Sequence, residues 1–63
     1  MYKMLEVVGR SKESLSEAVK DAVNQVTAGG EKAQFFVVQE QRGLVKGGKV
    51  EEFQVIVKVG VSG

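Results

Sequence analysis

The chain contains no cysteine, no histidine and no tryptophan. Without cysteine there is no disulfide and no thiolate metal site. Without histidine there is no His-based catalytic triad, no His-containing zinc site and no ordinary proton shuttle at neutral pH. An excess of one charge is also lacking. Nine Lys and Arg stand against eight Asp and Glu, a net +1, with the signs interspersed. A dedicated nucleic-acid binder shows a basic cluster, and none is present, so nucleic acid is not an expected partner. No apolar run approaches the roughly 18 residues that a membrane-spanning helix needs. The opening Met1-Tyr2-Lys3-Met4-Leu5-Glu6 lacks the apolar region of a signal peptide. Cytoplasmic residence is the resulting expectation.

What remains is small. The 63 residues, 43% of them hydrophobic, are read as one folded domain over 1–63. Such a chain buries only about 60% of the surface it exposes when unfolded. Chain entropy nearly cancels the stability of so small a core, and no disulfide or metal site supplements it. Association with copies of itself is therefore expected.

Tyr2 to Val8 form an apolar-rich run ending at Gly9 and are read as a strand, with Tyr2, Met4, Glu6 and Val8 on one face. Ser14 followed by Glu17 fits a capping box, in which each side chain satisfies a free amide of the first helical turn. Leu15, Ala18, Val19, Ala22, Val23 and Val26 then form one stripe of a 3.6-residue period, and Gly29-Gly30 supplies a stop. A helix over roughly 14–28 is predicted. Gln34–Val38 and Val50–Val61 are rich in Val, Phe and Ile, as strands prefer, and Gly47-Gly48 between them is a hairpin signal. The order is β-α-β-β. The fold class is α+β, a three-stranded antiparallel sheet packed on one helix.

If Gly47-Gly48 is a two-residue turn, Arg42 faces Phe53, Val38 faces Val57, Phe36 faces Val59 and Phe35 faces Gly60. The face carrying Phe36, Val38, Val57 and Val59 is assigned to the helix. The other carries Phe35, Val37, Gln39 and Gln41 beside Gln54, Ile56, Lys58 and Gly60, and must meet water, a ligand or another subunit. Opposite Gly60, the Phe35 ring has no bulky cross-strand neighbour and could lie against a planar ligand or serve in an interface. The Gln54 amide donates and accepts at once, which suits a heteroaromatic edge; a solvated strand residue is the alternative. Phe35 and Gln54 lie six rungs apart, about 20 Å, so one ligand reaches both only with help from neighbours or a bent strand. Glu40 and Glu51-Glu52 have no visible partners for acid–base work, Gly48-Lys49-Val50 fails the phosphate-loop pattern, and nothing resembles an activated nucleophile. An enzyme is not expected.

Tyr2-Lys3, Glu6-x-Val8-Gly9-x-Ser11, a helix from near Glu13-Ser14, Phe36-x-Val38, Arg42-Gly43, Phe53-Gln54-Val55 and Lys58-Val59-Gly60 together resemble the dodecins. Each motif is weak singly; their order and spacing over nearly the whole chain are fairly specific. The resemblance implies a hollow homododecamer that binds flavin, riboflavin or FMN, at subunit interfaces, for storage, sequestration and photoprotection rather than catalysis. It places the flavin-edge glutamine on Gln54, the arginine near the flavin phosphate on Arg42, and the stacking tryptophan on Phe35. Phenylalanine departs from the family pattern: its ring is smaller and a poorer electron donor than indole. Family members also usually continue past Val61-Ser62-Gly63 with aromatic, basic and acidic residues. The alternative reading is a dodecin-like shell with no flavin, or with a different small ligand or a metal ion.

Overall fold

Ser14 starts the helix as its capping chemistry predicts. In the computed structural model, which describes residues 1–62, Ser14 has extended backbone and its hydroxyl accepts from the Glu17 amide at 3.1 Å. The Glu17 carboxylate turns instead to Lys20 Nζ, 3.6 Å away, so half of the capping box forms. Helix α1 spans Leu15–Ala28. The Gly29 amide closes it by donating to the carbonyls of Gln25 and Val26, and Gly30 follows at φ 91°, a conformation that side chains resist. Ala18, Ala22 and Val26 are buried, and Leu15, Val19 and Val23 half-buried, as the stripe requires. Ser14→Ala removes the cap and is expected to cost about 1 kcal/mol, read as a lower melting temperature at fixed protein concentration.

Three antiparallel strands complete the fold: β1 (Tyr2–Ser11), β2 (Lys32–Lys46) and β3 (Lys49–Ser62), in spatial order β1-β3-β2. β1 runs two residues past its expected end at Gly9. Gly9 stays in the ladder, opposite Val55, because the helix passes directly over it. A Cβ there would collide with the Ala18 carbonyl oxygen and stand 2.8 Å from the Ala22 Cβ. The glycine that reads as a terminator is therefore a contact point. From it, Val55, Val57, Val59 and Val61 of the central strand pack beneath Ala18, Ala22 and Val26. Those four valines are the largest fully buried side chains.

The helix covers β1 and β3, and leaves β2 largely bare. No residue of β2 is buried, and Phe36 and Val38, expected under the helix, are 49% and 40% exposed. They do lie on the helix side, paired with Val59 and Val57 as predicted. The helix is a single rod, held over β1 and β3 by the glycine–alanine contact, and it meets β2 chiefly where Ala33 packs near Val26. Leu44, Val45 and Val50, near the hairpin tip, are exposed as well.

Three bulges modify the predicted register: Gln34 is looped out near the start of β2, between Ala33 and Phe35, and two more lie nearer the turn. Lys46 faces Lys49 and Val45 faces Val50, but Glu51 is then looped out, so Leu44 pairs with Glu52 and Arg42 with Gln54. Gln39 is looped out of β2, which restores the predicted pairs Val38–Val57, Phe36–Val59 and Phe35–Gly60. Between the Glu51 and Gln39 bulges every side chain of β2 changes face relative to the expectation. Gln41 moves to the helix side opposite Val55, and Arg42 moves to the open side beside Gln54. The predicted pairing of Arg42 with Phe53 is corrected accordingly: Gly43 takes that place.

Candidate ligand-binding face

The face away from the helix carries the candidate residues. Arg10 on β1, Gln54 on β3 and Arg42 on β2 occupy one rung across the sheet. Glu52 lies two residues from Gln54 on the same strand, and strand alternation puts both on the same side. The four side chains form a continuous chain of contacts. Arg42 Nε donates to Gln54 Oε1 at 2.8 Å, and Gln54 Nε2 donates to Glu52 Oε2 at 2.8 Å. The other Glu52 oxygen lies 3.4 Å from Arg10 Nη2. Arg10 and Arg42 are exposed, Gln54 is half-buried and Glu52 is buried. A buried carboxylate needs such partners, and here an arginine and an amide supply them.

Phe35 stands at the other end of this face. Its ring folds over Gly60, whose missing side chain leaves the room it fills. It meets Tyr2 edge to face, with centroids 5.1 Å apart and planes at 89°. The ring remains 42% exposed. Gly60 lies six residues from Gln54 along β3, about 20 Å at the usual strand rise. The structure thus joins Arg42 to Gln54 and keeps Phe35 apart from both.

Two shallow hollows lie nearby. One, about 120 Å³, is lined by Val23, Ala33, Gln34, Phe35, Phe36 and Val59. The other, about 310 Å³, is lined by Leu15, Gln41, Arg42, Gly43, Val50 and Phe53. Phe35 borders the first, Arg42 the second, and Gln54 neither. Neither hollow gathers the three candidates. No group of three or more Asp and Glu there is placed to hold a metal ion. No helix among the described residues is long and apolar enough to cross a membrane.

Sequence reasoning missed Arg10 and Glu52. The Glu52-x-Gln54 spacing was a usable signal, since it places both side chains on one face whatever the register. Arg10 carried none, because the pairing of β1 with β3 has no turn to set it.

A small open sheet of order β1-β3-β2 on one helix, with a polar cluster on its uncovered face, defines the structural class. The protein belongs to the dodecin family: the Dodecin family model matches residues 1–62. The chain is 35% identical over 60 residues to the dodecin of Thermus thermophilus, covering 95% of this chain and 87% of that protein. Among solved structures, dodecin from Streptomyces davaonensis superimposes with a TM-score of 0.91 at 30% identity, covering 97% of this chain and 90% of that one. Dodecin from Streptomyces coelicolor gives 0.90 at 34% identity, covering 97% and 87%. A tryptophan-to-phenylalanine variant of T. thermophilus dodecin gives 0.89 at 36% identity, covering 97% and 91%.

Proposed function

We infer that this chain is a non-catalytic flavin-binding protein, a single dodecin-like domain over 1–63 that works in the cytoplasm as a hollow homododecamer. It stores and sequesters riboflavin or FMN and shields them from light. Phe35 supplies the stacking plane, Gln54 the amide for the pyrimidine edge of the isoalloxazine, and Arg42 the charge for an FMN phosphate. The observation that carries this reading is the Arg42–Gln54 hydrogen bond on the open face, in a chain of dodecin type. Arg42 spends its Nε on Gln54, which leaves its terminal nitrogens to meet an anion.

The distance from Gln54 to Phe35 supports a site shared between subunits, with the amide of one chain and the ring of another on the same ligand. The exposed Phe36, Val38, Leu44, Val45 and Val50 supply apolar surface for the subunit contacts that such a site needs.

Native mass together with an absorption spectrum tests the reading. A dodecamer that takes up riboflavin or FMN supports it; a colourless protein that binds neither refutes it and leaves the bare shell. Gln54→Ala is expected to weaken riboflavin about tenfold with the native mass unchanged. Equal affinity would remove Gln54 from the site. Phe35→Trp is expected to bind riboflavin more tightly and to quench its fluorescence more strongly, because indole offers more contact area and donates an electron more readily. Equal quenching by the two forms would refute Phe35 as the stacking residue.

A further inference from the structure

The geometry points to Glu52, steadied by Arg10, as the positioning residue that fixes which way round the Gln54 amide faces, and so sets the ligand edge that the site prefers: a ring N–H against the amide oxygen and a carbonyl against the amide nitrogen. The ligand half of this inference rests on the flavin reading above; the positioning half does not.

A glutamine amide is nearly symmetrical in shape and opposite in chemistry at its two ends. A half-turn about its last bond exchanges an acceptor for a donor, and an unrestrained side chain samples both orientations. Here each end meets a partner that tolerates one orientation only. Ionised Glu52 can only accept, and it takes the Nε2 hydrogen at 2.8 Å. Arg42 Nε can only donate, and it reaches Oε1 at 2.8 Å. Turning the amide over would set oxygen against oxygen at one end and N–H against N–H at the other. Two charge-assisted hydrogen bonds would become two repulsions.

The two partners are not equal. Arg42 is on the exposed outer strand, and a phosphate on the ligand would compete for it. Glu52 is buried, with 11% of its side chain accessible, and its second oxygen is held by Arg10. Once an anion draws Arg42 away, Glu52 alone keeps the amide in place. One Nε2 hydrogen and the Oε1 oxygen then remain for the ligand. A cyclic imide edge, an N–H flanked by carbonyls, matches that pair.

The test compares FMN, whose phosphate competes for Arg42, with N3-methyl-FMN, which lacks the ring N–H, in the wild type and in Glu52→Gln. The substituted side chain keeps its shape but offers both a donor and an acceptor, so the Gln54 amide can settle either way. The preference for FMN over its methylated form is expected to be about tenfold stronger in the wild type than in Glu52→Gln. A Glu52 that only stabilises the fold would weaken both ligands equally; an unchanged ratio overturns the proposal. If Glu52→Gln does not assemble, Glu52→Asp, which shortens the reach by one methylene, is read in the same way. NMR of the ligand-free protein reads the amide directly. One Gln54 Nε2 hydrogen is expected to exchange slowly with solvent in the wild type and quickly in Glu52→Gln, and equal exchange in both overturns the positioning role. A wild type that binds neither flavin overturns the flavin reading and with it the preferred edge, while the NMR result still decides what Glu52 does to Gln54.

Discussion

Gly9→Ala is expected to lower stability by about 3 kcal/mol, the upper end of the usual cost of overpacking. The added methyl would overlap the Ala18 carbonyl oxygen, a backbone atom in the first turn of α1. A side chain could rotate aside; a helical carbonyl can yield only if the whole helix lifts. Lifting it would open the contacts of Ala18 and Ala22 with Val55 and Val57, half of the core of this chain. A chain of this size has little stability to spare. The melting temperature is expected to fall by at least about 10 °C at fixed protein concentration. A variant that melts within two or three degrees of the wild type (about 0.5 kcal/mol at this size) would show that the helix does not rest on this glycine.

Gly60→Val is expected to strike the ligand rather than the fold. Here the colliding atoms belong to the tip of the Phe35 ring, which can swing away. The backbone keeps its place, and the cost in stability is on the order of 1–2 kcal/mol. The ring, however, leaves the floor on which it lies and its edge contact with Tyr2. Stacking on an aromatic side chain contributes roughly 2 kcal/mol, so riboflavin affinity is expected to fall about 30-fold while the native mass is unchanged. Titration of Gly60→Val against the wild type measures this. Unchanged affinity would separate Phe35 from the flavin site and favour an interface role for its ring.

These two glycines show how far local pattern goes. Gly60 opposite Phe35 follows from the Gly47-Gly48 turn and simple counting, and the counting succeeds because two bulges cancel. One bulge adds Glu51 to β3, the other adds Gln39 to β2, and between them the pairing is displaced by one residue. The same counting therefore places Val38 and Phe36 correctly and Arg42 and Gln41 on the wrong faces. A bulge leaves little trace in a polar stretch such as Gln39–Arg42, where apolar alternation is weak. Gly9 shows the opposite limit. Read alone, it ends a strand; in the fold, it is where helix and sheet come closest. Nothing in the neighbouring residues announces that distant alanines will lie on it.

The candidate site divides in the same way. Gln54, Arg42 and Phe35 were reached by resemblance to a family and by their chemistry. Their mutual arrangement, two bonded and one about 20 Å away, depended on the register. Strand alternation alone put Glu52 beside Gln54, and Arg10 joined the cluster only when β1 came to lie beside β3.

The amino-acid order alone determined the elements, since capping, the 3.6-residue stripe, β-rich runs and the Gly-Gly turn act over a few residues. It also determined that the core would be meagre, because so short a chain has few apolar side chains to bury. Which strand lies in the centre, which face the helix leaves open, and which charges surround Gln54 were decided by the tertiary structure. Those depend on strand pairing and on one close contact between Gly9 and the alanines of α1, interactions between residues far apart along the chain.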